Sequence, residues 1–516
     1  MKRLTLDALF IGNTDAKNEL LTGSSQEVSS FKNGFLMPDN VVLEHFYSGK
    51  KYYITGLKGT GKTALLRYLS ICVEEHLKAK SSFILFKTDV REEDRARIVH
   101  IADIISKNES IIGQYKDYER AWMLFLFQQI VKLSNKKEIH PFKDDSTWKQ
   151  FSRYVLSTLN DSKKNGLFPK LKNGNIEIDA SILKAGVDFE WSSDDVEKTG
   201  KKTVDFIRLV SDCEDLFSSL KAGTDKLYVF IDELEISLGT EKQYKRDVEM
   251  IRDLILSINR INTISRQNSL PLFIITGIRK EVLAVTQSTG KEINKPIADF
   301  GINLRWQQSG GSMSDHPLIK IIIKRLINAE TSLPMIDRAS ADTIWDKYFP
   351  LTINEKPTYE FLLNKTWYRP RDIVRLLGLA REQFPHSTTF SHSIFDAINK
   401  QYSTDCWLEQ EEELRAKYSV DDIKGIKHIL MGIKCPFTLE TIFEKASRAR
   451  TMYSDVDQLF SKVKLADILE HLFRVGIIGN TGKNSVRYSF RGDEGLIIDK
   501  KMTIHPALWN VLSITK

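Results

Sequence analysis

Eight consecutive residues, Gly56-Leu57-Lys58-Gly59-Thr60-Gly61-Lys62-Thr63, match the pattern G-x-x-x-x-G-K-[ST] in full. That spacing suits the cradling of a polyphosphate. Glycines let backbone N–H groups curl around phosphate oxygens with no side chain in the way. Lys62 brings a cation to the β and γ phosphates, and the Thr63 hydroxyl is offered to Mg²⁺. The expected binding set is Gly56, Lys58, Gly59, Thr60, Gly61, Lys62 and Thr63, with ATP and Mg²⁺ as cofactors.

Such a loop needs an acid from elsewhere to hold the metal. The apolar run Leu227-Tyr228-Val229-Phe230-Ile231 ends in Asp232-Glu233. Asp232 is placed to hold Mg²⁺ together with Thr63, and Glu233 to polarise the attacking water. The bland alternative is a core strand closed by acidic turn residues. A further run, Leu272 to Ile275, leads to Thr276-Gly277-Ile278-Arg279, so Thr276 or Arg279 faces the γ phosphate. Arg371, in Trp367-Tyr368-Arg369-Pro370-Arg371-Asp372, stands at the start of a helix that Pro370 opens. It either reaches back to the nucleotide or forms a local ion pair with Asp372.

The elements that must position these residues follow from the apolar pattern. Tyr52 to Thr55 reads as a strand before the loop, and Ala64 to Leu69 as a helix after it. Phe83 to Phe86 and Gly301 to Trp306 read as further strands. The expected class is α/β, a P-loop NTPase parallel-sheet core with a helical insert, a helical lid and a C-terminal winged-helix domain. Residues 1–45 form an N-terminal extension packed on the core, and 46–310 the core itself. A helical, lysine-rich insert occupies about 100–215, with Lys163-Lys164, Lys170, Lys172, Lys198 and Lys201-Lys202 and a small strand at Ile176 to Asp179. Gly310-Gly311 marks a boundary, residues 311–419 are the lid, and 420–516 the last domain. There, Leu465 to Gly476 reads as a helix closed by glycine. Gly479-Asn480-Thr481-Gly482 reads as the turn of a β-hairpin wing, with Lys483, Arg487 and Arg491 set to meet phosphates.

Composition bounds the rest. The 516 residues are 41% apolar and 28% charged, which excludes disordered and fibrous classes. Lysine plus arginine (75) exceeds aspartate plus glutamate (68), a net +7 that permits DNA or RNA without requiring it. The four cysteines, Cys72, Cys213, Cys406 and Cys435, form no metal-binding or redox pair. Without a signal-peptide core or a membrane-length apolar run, the expected location is the cytoplasm, with no membrane partner.

The order of Lys58 to Thr63, Asp232-Glu233, Arg369-Pro370-Arg371-Asp372 and the tail Gly476-Ile477-Ile478-Gly479-Asn480 with Ile504-His505-Pro506-Ala507-Leu508 resembles the FunZ-like bacterial P-loop ATPases. These are similar to AAA+ and STAND regulators, with a five-stranded core, a helical lid and a winged helix. The resemblance implies an ATP-driven switch of the kind encoded among phage-defence genes. By that likeness Lys62 and Thr63 bind phosphate and metal, and Asp232 and Glu233 serve hydrolysis. Arg371 is the lid arginine, and Arg279 the strand-end arginine of STAND switches. Glu233, Lys62, Arg279 and Arg371 are thus the expected catalytic set. Residues 291 to 300 depart from the AAA+ pattern, since they hold Lys291 and Lys295 but no arginine. That favours a slow switch. A homo-oligomer, an effector protein, and DNA or RNA stand as alternative partners. The rival to the switch is an ATP-dependent DNA-binding regulator in which hydrolysis is incidental.

Overall fold

The computed structural model describes residues 2–108, 118–137, 139–158, 175–179, 201–234, 241–286, 291–306, 312–415, 417–482 and 485–515. Lys163-Lys164, Lys170, Lys172, Lys198, Gly310-Gly311 and Lys483 lie outside them. The chain divides into two compact units. One comprises Asn40–Lys58 and Lys62–Leu304, the other Met1–Asp39, Gly59–Gly61 and Arg305–Lys516.

In the first unit, the strands β1 (Tyr53–Gly56), β2 (Lys80–Leu85), β5 (Leu227–Leu234), β6 (Leu272–Arg279) and β7 (Gly301–Asn303) form a five-stranded sheet in the order β2-β5-β6-β1-β7. Every pairing is parallel. This explains the unbroken apolar runs, because a strand covered on both faces has no polar side to alternate with. Leu227 to Ile231 are all buried. The connections from β1 to β2 and from β6 to β7 run to opposite edges of the sheet. The carboxyl end of β1 is therefore a topological switch point, the usual place for a ligand crevice.

Helix α1 (Lys62–Leu77) follows β1 directly and buries Leu65, Leu66, Leu69, Cys72 and Val73, the spacing of one helical face. After β2 comes a single turn, α2 (Phe86–Asp89), and then α3 (Glu92–Asn108) and α4 (Glu119–Lys137). The expected small strand exists as β3 (Asn175–Asp179), antiparallel to β4 (Lys201–Asp205). Helix α5 (Glu241–Gln267) buries a stripe of Ile251, Leu254, Ile255 and Ile258. Tyr53 Oη donates to Ile255 O at 2.8 Å and Tyr52 Oη to Asn259 Oδ1 at 2.7 Å, tying β1 to α5. The same helix also buries charge that apolar periodicity does not foresee. Asp247, Arg252 and Asp253 are 0% exposed.

The second unit has a continuous apolar core that runs from Leu6, Leu9 and Ile11 through Trp367, Leu377 and Trp407 to Ile504 and Leu512. The N-terminal residues, expected to extend over 1–45, divide at Asp39. Met1–Asp39 belong to this unit, where Leu6 N–H donates to Ser387 O at 2.7 Å, Arg381 Nε to Leu6 O at 2.9 Å, and Arg325 pairs with Glu19 at 3.2 Å. Leu6, Leu9 and Ile11 are buried in that core, with Leu4 packed against it. Gly59–Gly61 group here too. Thr60 O accepts from Trp306 Nε1 at 2.8 Å and Gly59 O from Arg371 N–H at 3.4 Å.

Residues 312–415 are mainly helical, as expected, apart from the two-residue strands β8 (Thr352–Ile353) and β9 (Lys356–Pro357). Helix α6 (Pro370–Gln383) starts with proline in its first turn, and α7 (His392–Leu414) packs beside it. Further on, α8 (Leu465–Arg474) precedes a three-stranded antiparallel sheet, β11-β10-β12, of β10 (Ile478–Thr481), β11 (Val486–Arg487) and β12 (Met502–Ile504). The hairpin exists, but its turn is displaced from the expected Gly479 to Gly482. Gly479, Asn480 and Thr481 are strand, and Gly482 N–H donates to Ser485 O at 2.9 Å. Asn480, a turn former by type, is held in a buried strand because its amide makes both bonds of a ladder with Ile497. Nδ2 donates to Ile497 O at 2.9 Å and Oδ1 accepts from Ile497 N–H at 2.8 Å.

All four cysteines are buried thiols. No helix among the described residues is long and apolar enough to cross a membrane.

Candidate functional site

Lys62 is the first residue of α1, and its side chain curls back over the loop. Nζ donates to Gly56 O at 2.9 Å and Leu57 O at 2.8 Å. Gly59 and Gly61 adopt φ of +80° and +91°, the left-handed region that glycine enters without strain. Lys58, Thr60 and Lys62 are all buried.

The Thr63 hydroxyl donates to the Asp232 carboxylate. Asp232 is 5% exposed, and burial pushes its carboxyl above the usual range, against the Thr63 hydrogen bond and the Lys62 charge, which pull it down. A buried acid with a neighbouring hydroxyl and ammonium is an arrangement that a bound cation would complete. Gly277 permits it. A Cβ there would lie 3.3 Å from Asp232 Oδ1, 3.3 Å from Leu66 Cδ1 and 3.6 Å from Lys62 Cβ. The isolated glycine in an apolar strand was the available sequence signal of this close approach.

Glu233 follows in an unusual backbone. Its φ is +60°, and the β5–β6 register slips between Ile231 and Leu234. A non-glycine residue in this region is strained by about 1–3 kcal/mol, and such residues cluster at functional sites. The bulge breaks the inward–outward alternation at Glu233, before β5 resumes its pairing at Leu234. Glu233 Oε2 accepts from Thr88 Oγ1 at 3.1 Å. Sequence reasoning missed Thr88, since nothing in its neighbourhood marks it.

The pleat decides between Thr276 and Arg279. Side chains alternate along a strand, so Arg279 shares the face of Gly277, towards Lys62 and Asp232, and Thr276 takes the other. Thr276 is 0% exposed, and its hydroxyl has no hydrogen-bond partner among the described residues. Arg279 is the last residue of β6 and lies in register with Gly56, where the loop begins.

Arg371 lies in the second unit, and it does not pair with Asp372. Its Nε donates to Thr14 O at 2.9 Å and its Nη1 to Glu409 Oε1 at 3.1 Å. Asp372 instead accepts from Trp367 N–H at 3.0 Å. Arg487 and Arg491, expected to meet phosphates, are engaged within the chain. Arg487 Nε bonds Asp493 at 2.8 Å, and Arg491 bonds Val486 O at 3.1 Å and stacks 4.8 Å over Tyr368.

Residues 317–409, from the helix Pro317–Ala329 into α7, match the family model of the FunZ-associated C-terminal helical domain. The chain is also similar to a protein of Escherichia coli strain K12 described as a transposon gamma-delta 80.3 kDa protein. The two are 20% identical over 524 aligned positions, which span 98% of this chain and 67% of that relative.

Proposed function

We propose that this chain is an ATP-binding switch that hydrolyses its nucleotide slowly and acts through partner proteins. The observation that carries the reading is the convergence of Lys62, Thr63 and Asp232 across two strand ends of one parallel sheet. Lys62 is positioned to balance phosphate charge, and the backbone of Gly56 to Gly61 to cradle it. Thr63 and Asp232 supply hard oxygens and would hold Mg²⁺, which neutralises charge on the phosphates when bound. Glu233 is the water-polarising group, with Thr88 on its carboxylate. Titration calorimetry with ATP and Mg²⁺ tests the reading. Heat is expected from the native chain, with at least hundredfold weaker binding for Lys62→Ala, and absence of heat from the native chain refutes it.

The match at residues 317–409 supports the FunZ likeness, and with it a role in phage defence through an effector protein. The helices and small sheet of residues 420–515 are consistent with a winged helix. On α8 Asp467 and Arg474 are exposed, Arg474 is paired with the half-buried Glu470 at 3.4 Å, and Arg487 and Arg491 are used internally. These features favour protein docking over a DNA-reading helix, because phosphate binding needs cations that are exposed and uncommitted. The relative named for a transposon supports the rival, a DNA-binding regulator. A mobility shift that appears with ATP at low salt and vanishes with added salt favours that rival.

A further inference from the structure

Thr88 sits in the single turn α2, and a buried ion pair fastens that turn. Arg95 Nη1 meets Asp247 Oδ2 at 2.8 Å, with side-chain exposures of 7% and 0%. The same guanidinium reaches back to the turn, where Nε donates to Val90 O at 3.3 Å and its central carbon lies 4.9 Å over the Phe86 ring. Arg246 adds a second tie, to Asp247 at 2.8 Å and to Glu92. The segment 86–95 is thus anchored on α5 at one end and holds Glu233 at the other.

A buried ion pair contributes little net stability over an apolar pair of the same size. What it supplies is direction, because a planar guanidinium with several committed donors has one orientation. Glu233 needs that direction. Its backbone is strained and its strand is bulged, so a second anchor on its carboxylate decides where the carboxylate points. We infer that Arg95 and Asp247 are positioning residues for Glu233, holding the Phe86–Val90 turn at the level where Thr88 aims the carboxylate. The inference rests on the reading of Glu233 as the water-polarising group.

The test replaces the pair by apolar residues of similar size, Arg95→Met with Asp247→Leu, and compares it with Thr88→Val and Thr88→Ser. ATP affinity from calorimetry is expected to be unchanged in all of them. The kcat is expected to fall about tenfold in the paired variant and in Thr88→Val, as for a misplaced catalytic group, and to be retained in Thr88→Ser. Adding Thr88→Val to the paired variant should cost nothing more, since both act through one link. Multiplying losses, an unchanged kcat in the paired variant, or a rise in kcat would overturn the inference while leaving the site intact. If the paired variant does not fold, as judged by circular dichroism, the Thr88 series decides alone, and equal kcat in Thr88→Val and the native chain overturns it. A native chain that binds no ATP, or Glu233→Gln turning over at the native rate, overturns the reading of the site as well.

Discussion

Gly277 lies so close to Asp232 that a Cβ on the glycine would stand 3.3 Å from the aspartate Oδ1. Three elements meet there, β5, β6 and α1, and the missing side chain is what lets them. Gly277→Val is expected to destabilise the fold by about 2 kcal/mol through overpacking and to weaken nucleotide binding as Asp232 is displaced. Gly277→Ala should do less, because its contacts need to yield by only a few tenths of an ångström. Urea unfolding and ATP calorimetry on both variants check the order.

The φ of +60° at Glu233 stores strain that stability measurements can read. Glu233→Gly and Glu233→Ala lose the same bond from Thr88, but only glycine enters the left-handed region freely. Glu233→Gly should therefore be more stable than Glu233→Ala by about 1 kcal/mol, read from urea midpoints. Glu233→Gln keeps the size and removes the charge. It should bind ATP normally and hydrolyse it about a hundredfold more slowly or worse.

Two buried histidines, His316 and His505, and the half-buried His471 make the second unit sensitive to acid. Burial holds His316 and His471 at about 4, below an ordinary 6.5, with Lys417 and Arg474 adding to the effect at His471. His505 is held well below its usual range by burial and by Arg491, Arg369 and Lys365. Each is neutral when folded and gains a proton on unfolding below about pH 6.5. For His316 and His471 stability is then full above pH 6.5 and falls as the pH drops towards about 4, by on the order of 1–2 kcal/mol each at pH 5, and His505 acts in the same direction. Urea midpoints at pH 7.5 and 5 should show the loss, and His471→Phe should reduce it.

Asn480 is 0% exposed, with both amide atoms bonded to the Ile497 backbone. Asn480→Ala strands a buried N–H and a buried C=O together and is expected to cost about 3 kcal/mol. A thermal midpoint within a degree of the native value would mean that water reaches the strand.

Much of the site was legible in the residues because its chemistry demands particular types at short, local spacing. The loop from Gly56 to Thr63, the acids after Ile231 and the proline that opens α6 are each read within a dozen positions. Parallel strands announce themselves as well, since burial on both faces leaves them uniformly apolar. Thr88 and Glu233 are 145 positions apart, and Arg95 and Asp247 are 152 apart. Nothing local marks such partners.

The sequence by itself determined the loop from Gly56 to Thr63, the acids Asp232 and Glu233, and the strands and helices that bear them. Tertiary structure alone decided that Arg279 rather than Thr276 shares the face of Lys62, since that depends on the pleat of a strand whose ends periodicity does not locate. It also decided that residues 1–39 join the C-terminal unit, that Asn480 is strand rather than turn, and that Arg371 answers to Glu409. The reason is common to all of these. Residue type and spacing act over a few positions, whereas pairing, register and the choice of ionic partner are settled by which distant segments exclude water together.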